Sequence, residues 1–216
     1  MYKIDLHTHS IKSRDGSITA EQYTEALENG LLDYIAITDH NHIDFATKLQ
    51  KSLGDKIIIG EEINSLEGEI IGLFLTESVP RDLSAKDTIK AIKKQKGLVY
   101  IPHPFETVRQ GISKTSLESI IDEVDIIEIY NGRAFFQNKG PQAVTTARIY
   151  NKPGAASSDA HGIKGLGTAY ANVAKKPTPE NLPDQLHTAK LSMQRPPMKT
   201  LLYPKINRIK KGWVRD

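Results

Sequence analysis

The chain has 216 residues, enough to enclose one full hydrophobic core, and 38% hydrophobic with 25% charged residues is the balance of a soluble globular protein. Its longest apolar runs, such as Ile70 to Leu75, are too short to cross a bilayer, and the absence of cysteine excludes a disulfide framework or a thiolate metal site. The net charge of +3 is uneven: from Arg195 onward there are seven basic residues against one acid, which leaves the first 194 residues with 22 basic and 25 acidic.

The opening residues lack the layout of a signal peptide, so a cytoplasmic protein is expected. Tyr2 to His9 alternates as a strand, with Ile4 and Leu6 on one face and Asp5, His7 and His9 on the other. Thr19-Ala-Glu-Gln22 is a capping box ahead of a helix ending at Gly30. A strand over Tyr34 to Thr38, a helix from Ile43 to Leu53 and a strand from Lys56 to Ile63 follow. Glu69 to Leu75 follows only a short Glu67-Gly68 turn and reads as an antiparallel hairpin partner.

Ser84 caps a helix carrying Ile89 and Ile92 that Gly97 stops, and Leu98 to Ile101 is the next strand. Thr115-Ser-Leu-Glu118 reads as another capping box, before a strand at Ile126 to Tyr130. Gln142 to Tyr150 reads as a helix, Gly154 to Ser158 and Ala169 to Val173 as strands. Thr178-Pro179 then opens a last helix running to Lys190. Apart from the hairpin strand, the count is seven parallel-type strands alternating with helices, the order of an α/β barrel. The division expected is a barrel over 1–194 and a basic tail over 195–216.

Polar residues gather where these strands end: His7-Thr8-His9, Asp39-His40, Glu61-Glu62, His103, Asn131 and Asp159-Ala160-His161. A lone histidine is ordinarily a surface or packing residue. Here five of the seven histidines stand at strand ends beside carboxylates, at the rim where parallel barrels assemble active sites. On a strand, His-x-His sets both imidazoles on one face about 6 to 7 Å apart along the chain, a span two side chains close around one cation. A metal site is therefore expected. His42 and His187 read as structural or surface residues.

His7-Thr8-His9-Ser10 with Asp15-Gly16, Thr38-Asp39-His40-Asn41, Gly60-Glu61-Glu62-Ile63, His103-Pro104-Phe105 and Ser158-Asp159-Ala160-His161 together resemble the polymerase-and-histidinol-phosphatase (PHP) family of phosphoesterases, over residues 2 to 175. The resemblance implies a distorted (β/α)7 barrel, TIM-like, holding two or three divalent metals, with manganese, zinc and iron all compatible with such ligands. It implies that His7, His9, Glu62 and Asp159 hold one metal, that Glu62 bridges to a second bound by His103, and that Asp15, His40 and His161 take a third. Glu62 rather than Glu61 fits the family's register, which turns Glu61 to the other strand face. Many relatives have His or Cys where Asn131 stands, so this residue offers the second metal only a carbonyl oxygen. Where some relatives carry a histidine this chain has Glu69, which reads as an exposed strand residue in preference to the alternative, an acid near the metals.

For Asp15, an Asx turn before Gly16 is the alternative role. Asp39 is expected to cap the next helix or to orient a ligand, and Asp5 to accept an imidazole N–H. Arg109 and Arg133 are the expected phosphate clamps, with surface salt bridges as the alternative; Arg14 and Lys164 are weaker candidates.

The catalytic set so expected is His7, His9, Glu62, His103, Asp159 and His161. The expected chemistry is hydrolysis of a phosphate ester by a metal-bridged hydroxide, with no protein nucleophile. G-x-S-x-G and G-x-x-x-x-G-K-[ST] are both absent. The resemblance favours a small phosphorylated substrate, a nucleoside 3′,5′-bisphosphate or a short oligonucleotide 5′ end, over histidinol phosphate. The alternatives are a metal-dependent C–N hydrolase and a noncatalytic barrel binding RNA through its basic tail.

Overall fold

A computed structural model describes residues 1–135 and 137–212. Its elements in chain order are β1 (Tyr2–Asp5), α1 (Ala20–Glu28), β2 (Tyr34–Ile37), α2 (Asp44–Leu53), β3 (Ile57–Ser65), β4 (Gly68–Leu73), α3 (Ala85–Lys94), β5 (Leu98–Ile101), α4 (Lys114–Glu118), β6 (Ile126–Asn131), α5 (Gly140–Ile149), β7 (Gly154–Ser157), β8 (Ala169–Val173), α6 (Leu182–His187), β9 (Lys190–Met193) and α7 (Tyr203–Lys210). One sheet runs β7-β6-β5-β4-β3-β2-β1-β8-β9 and curls into a nearly closed barrel. Beyond the regular strands, Thr8 bridges Ala160, and His9 N donates to Ala160 O at 2.9 Å, which ties the β7 end of the sheet to β1 at the rim.

Local sequence explains most of the elements. The side chain of Thr19 accepts from Gln22 N while the Gln22 side chain returns to Thr19 N, which completes the capping box of α1. Ser84 caps α3 by accepting from Asp87 N. Tyr23, Leu27, Leu49, Ile89 and Ile92 of the helices bury against Ile35, Ile37, Ile57, Ile59 and Val99 of the strands. The alternate strand residues Ala36, Ile58 and Tyr100 join a second buried cluster with Ile71, Ile126 and Ala155. This period of two gives a barrel apolar on both faces along its lower half, with polar side chains left at the strand ends.

The structure corrects the expected strand and helix lists in four places. Six of the seven strands expected to be parallel share one direction, but the seventh, β8, pairs antiparallel with β1. The link from β7 to β8 carries no helix, and a parallel return needs a crossover of about a dozen residues, usually helical. The last predicted helix shrinks to α6, starting late behind a turn in which Thr178 N donates to Asn181 Oδ1. Its end is set by pairing, because Lys190 opens β9 opposite Asn172 of β8. The cap of α4 is Ser113, which accepts from Ser116 N, rather than Thr115, and the helix ends at Glu118.

The fourth difference concerns the basic segment. Met198–Leu202 forms a 3-10 turn leading into α7, whose Pro204 and Asn207 are buried. Lys211 Nζ donates to the carbonyls of Ile11, Ser13 and Gly16, so this helix is fastened to the loop that follows His9. Arg215 and Asp216, part of the expected tail, lie outside the described residues.

Candidate metal centre

The strand ends bring eight of the nine expected ligands into one buried cluster. His7 Nε2 and His9 Nε2 stand 3.1 Å apart. Glu62 Oε2 lies 3.4 and 3.3 Å from them, and Asp159 Oδ1 3.6 and 3.5 Å. The other oxygen of Glu62, Oε1, is 3.0 Å from His103 Nε2, so this carboxylate faces two groups of nitrogens at once. On the far side Asp15 reaches His40 Nε2 at 3.5 Å through Oδ1 and His161 Nε2 at 3.4 Å through Oδ2.

Within this cluster His7, Glu62 and His103 form one set, His7, His9 and Asp159 a second, and His9, Asp15, His40 and His161 a third. The atoms of each set lie within 4.8 Å of one another. Buried imidazole nitrogens converge here on buried carboxylate oxygens, and His40 Nδ1 is buried with no hydrogen-bond partner among the described residues. Such a donor set fits divalent cations.

Charge supports the same fit. Burial alone raises the carboxyls of Glu62, Asp159 and Asp15, but the surrounding histidines outweigh it and hold all three well below the ordinary range. His161 is pushed down to about 4, first by burial, with Arg133 and His9 adding to it against Asp15. His9 goes the other way: burial lowers it, yet its bonds to Asp159 and Glu62 raise it to about 9.

Backbone geometry aims these side chains. Asp159 and His103 adopt positive φ, 50° and 27°, which turns each out of its strand direction into the rim. A side chain at Gly16 would set its Cβ 2.2 Å from Ser10 O, so glycine permits the tight loop that returns Asp15 toward His9. Asp15 therefore serves the cluster rather than only a turn.

Several roles differ from expectation. Asp5 does not take an imidazole proton: its Oδ1 accepts from the backbone N of His7 and of Ser158, joining the ends of β1 and β7, and burial pushes its carboxyl up to about 7. The imidazole partner is Glu128, whose Oε1 lies 3.2 Å from His7 Nδ1. Burial raises Glu128, but His7 beside it outweighs this and keeps it below the ordinary carboxylate range, so Nδ1 donates to it and Nε2 is the nitrogen turned toward the cluster. Asp39 does not cap α2, whose first flanking residue is Ile43; it accepts from Ser10 N at 2.7 Å and Ser10 Oγ at 2.5 Å, pinning the chain just after His9.

Asn131 is not among the converging ligands. Its Oδ1 accepts from Arg109 Nη1 and Arg133 N, both at 2.8 Å, while its Nδ2 donates to Glu128 and Asp159. Glu69, expected to be exposed, is buried, with its oxygens 3.7 Å from His40 Nδ1 and from His103 Nε2. With His40 and Glu62 it forms a fourth group able to hold a cation. Glu61 points away from the cluster and accepts from Val79 N at 2.8 Å.

Arg109 and Arg133 reach the centre. Arg109 Nη1 donates to Asp159 Oδ2 at 2.5 Å and its other nitrogens to Glu106; Arg133 Nη1 lies 3.4 Å from the same carboxylate. From α7, Asn207 Nδ2 donates to the carbonyls of Asp15 and His161, and Arg208 Nη1 lies 3.3 Å from Asp15 Oδ2. Of the residues missed in sequence, Glu128 left a trace, a carboxylate inside the apolar run Ile126 to Tyr130; Asn207 and Arg208 left none.

A family model described as the PHP domain matches residues 5–134, and one described as PHP-associated matches residues 141–191. Over 218 aligned residues the chain is 32% identical to the uncharacterized protein MJ0417 of Methanocaldococcus jannaschii, covering 98% of this chain and 86% of that one. Its fold is similar to a two-domain protein of Bacteroides vulgatus containing a predicted PHP-like metal-dependent phosphoesterase, with a TM-score of 0.69 and 21% identity, over 89% of this chain and 65% of that chain. It is also similar to the lesion-specific endonuclease PfuEndoQ of Pyrococcus furiosus, with a TM-score of 0.63 and 18% identity, over 88% of this chain and 57% of that one. This chain thus spans less than two thirds of either structure. Matched by the PHP model over more than half its length, the chain belongs to the PHP family of metal-dependent phosphoesterases.

Proposed function

We propose that the chain removes a terminal phosphate from a small nucleotide, a nucleoside 3′,5′-bisphosphate or a short oligonucleotide 5′ end, using two or three divalent cations. The observation that carries this reading is the triple grouping of histidines and carboxylates around Glu62, with two guanidinia on the same rim. In this reading His7, His9, Glu62 and Asp159 hold one cation, Glu62 and His103 a second, and Asp15, His40 and His161 a third, with Glu69 beside the last two. Manganese, zinc and iron all suit such ligands. Cations bound there supply Lewis acidity, which makes water acidic enough to attack phosphorus near neutral pH and offsets charge on the phosphoryl oxygens.

The protein's own residues do the rest. Glu128 holds His7 in one tautomer, and Asp39 and Asp5 fix the backbone on either side of the His-x-His pair. In this reading Arg109 and Arg133, both in contact with Asp159, hold the non-reacting oxygens of a phosphate seated at the cluster. The cavity over the cluster holds about 240 Å³, below the roughly 300 Å³ at which ordinary small-molecule pockets begin. That size favours a terminal phosphate over the interior of a duplex.

Elemental analysis of the purified protein, paired with hydrolysis of p-nitrophenyl phosphate and of adenosine 3′,5′-bisphosphate by wild type and His9→Ala, tests the reading. Two or more metals per chain and activity lost in His9→Ala are expected. A protein that binds no manganese, zinc or iron and hydrolyses neither compound when supplied with them would overturn it.

A further inference from the structure

The cavity over the cluster has a second wall that the hydrolytic chemistry does not use. Besides the ligands and the two clamps it is lined by Arg14, from the loop after His9, and by Leu201, Pro204, Lys205 and Arg208 of the C-terminal segment. That segment lies beyond the residues matched by either family model. It is nonetheless rigidly placed: Pro204 is buried, Asn207 bonds the carbonyls of Asp15 and His161, and Lys211 caps three carbonyls of the loop carrying Arg14.

Positive charge on this wall exceeds what its own contacts consume. Arg109 pairs with Asp159 and Glu106, Arg133 meets Asp159 through Nη1 while its Nε is left without a partner, and Arg208 stands against Asp15. Lys205 forms no ion pair among the described residues, and Arg14, close enough to Glu69 to oppose the rise that burial gives its carboxyl, keeps its Nε buried without a hydrogen-bond partner. A guanidinium N–H so placed at a cavity wall is matched by an oxyanion, and an ammonium lining the same cavity adds to the attraction.

We propose that Arg14 and Lys205 form a second anion subsite beside the metal cluster, one that holds a second phosphate group of the substrate while its terminal phosphate monoester is hydrolysed. The inference rests on the phosphomonoesterase reading and narrows it: the preferred substrate carries two phosphates, and α7 is the element that selects it. The subsite adds no covalent step. Water adds to phosphorus, the ester P–O bond breaks, and the alcohol leaves with a proton, while the second phosphate stays bound to the wall and unchanged. The second group is either a free phosphate, as in a nucleoside bisphosphate, or the diester of a 5′-phosphorylated dinucleotide.

The test compares wild type, Arg14→Ala, Lys205→Ala and Lys205→Arg. Steady-state hydrolysis is measured with p-nitrophenyl phosphate, adenosine 3′,5′-bisphosphate and a 5′-phosphorylated dinucleotide. Binding of adenosine 3′,5′-bisphosphate and of adenosine 5′-monophosphate to chelator-treated protein is measured by calorimetry. In each alanine variant the preference for a two-phosphate substrate, taken as the ratio of its kcat/KM to that of p-nitrophenyl phosphate, should fall about tenfold, mainly through KM, and Lys205→Arg should recover most of it. The compound that shows the larger wild-type preference identifies the source of the second phosphate.

Preference ratios unchanged within twofold, with both nucleotides bound equally by wild type and variants, would overturn the subsite while leaving the phosphomonoesterase reading intact. Wild type that hydrolyses nothing with manganese or zinc would sink that reading instead, and the calorimetry would still decide the subsite. Tighter binding of the bisphosphate, lost in Arg14→Ala and Lys205→Ala, supports it; equal binding overturns it.

Discussion

Replacing Glu128 by glutamine tests whether the cluster depends on a residue that touches none of the proposed cations. In wild type Glu128 Oε1 accepts from His7 Nδ1 at 3.2 Å and from Tyr100 OH at 2.8 Å, and Oε2 accepts from His103 N at 2.6 Å and Asn131 Nδ2 at 2.8 Å. Glutamine keeps the shape but has one acceptor oxygen, so an NH2 group must face two of these four donors. Two lost bonds to a buried carboxylate, at about 1.5 kcal/mol each, give a destabilisation of about 3 kcal/mol. If the amide oxygen stays with His7, the imidazole keeps its tautomer but loses the basicity an ionised partner lends it, and metal affinity should fall about 10- to 100-fold. Urea unfolding of chelator-treated protein reads the first effect, and competition with a chromophoric zinc chelator reads the second. A variant as stable as wild type within 0.5 kcal/mol and equal to it in metal affinity would refute the role assigned to Glu128.

Three further outcomes are expected. Glu61→Gln should leave hydrolysis intact while Glu62→Gln abolishes it; and because burial pushes Glu61 up to about 7, the part of the stability that rests on its neutral form is fully present below the unfolded value near 4.5 and is lost as pH rises through 7. Removing that charge should therefore stabilise the protein at pH 8 by on the order of 2 to 3 kcal/mol, several degrees in Tm, and hardly at all at pH 4.5, as thermal scans at the two pH values would show. His9, raised to about 9, is protonated at pH 7 without metal and must shed its proton to bind one, so calorimetry of zinc binding in two buffers of different ionisation enthalpy should report proton release at pH 7; the same heat in both would contradict it. Gly16→Ala, whose Cβ would stand 2.2 Å from Ser10 O, should displace the loop carrying Asp15 and cost about 2 kcal/mol or more, read by urea unfolding.

Much of the barrel could be read from the chain because its signals are local. The capping box at Thr19 and Gln22, the Ser84 cap and the isoleucine run of β3 each involve residues a few positions apart, and each forms as expected. What failed was decided at a distance. The direction of β8 depends on the link from β7, and the early end of α6 on pairing between Lys190 and Asn172, neither of which periodicity reports.

The centre divides along the same line. His7, His9, Glu62, His103, Asp159 and His161 stand at strand ends, so reading where strands end locates them, and the structure gathers them within a few ångströms of one another. Glu69 was misjudged because alternation says which strand face a residue takes but not what covers that face; the face of β4 that holds Glu69 is closed by Asn64 and Gln110, with Glu69 N donating to Gln110 O at 2.7 Å. The role of Asn131 was misjudged for a related reason. A carbonyl near a metal reads as a ligand until the positions of Arg109 and Glu128 show that its donors and acceptor are already taken.

The C-terminal segment carries that lesson furthest. Read by composition, Arg195 onward is a solvated basic end, yet Asn207 and Arg208 meet a loop nearly two hundred residues earlier in the chain, against Asp15. Charge composition marks this segment as basic but says nothing of where the charge lies; the fold sets Lys205 and Arg208 on the wall of the cavity over the histidine and carboxylate cluster. A basic stretch free in solvent attracts any polyanion in a salt-dependent way, whereas one fixed at a small cavity over a hydrolytic centre discriminates among anions by the spacing of their charges. The choice between the RNA-binding reading of the tail and the substrate-selecting one is thus a question of position, and the contacts of α7 with Asp15 and His161 favour the second.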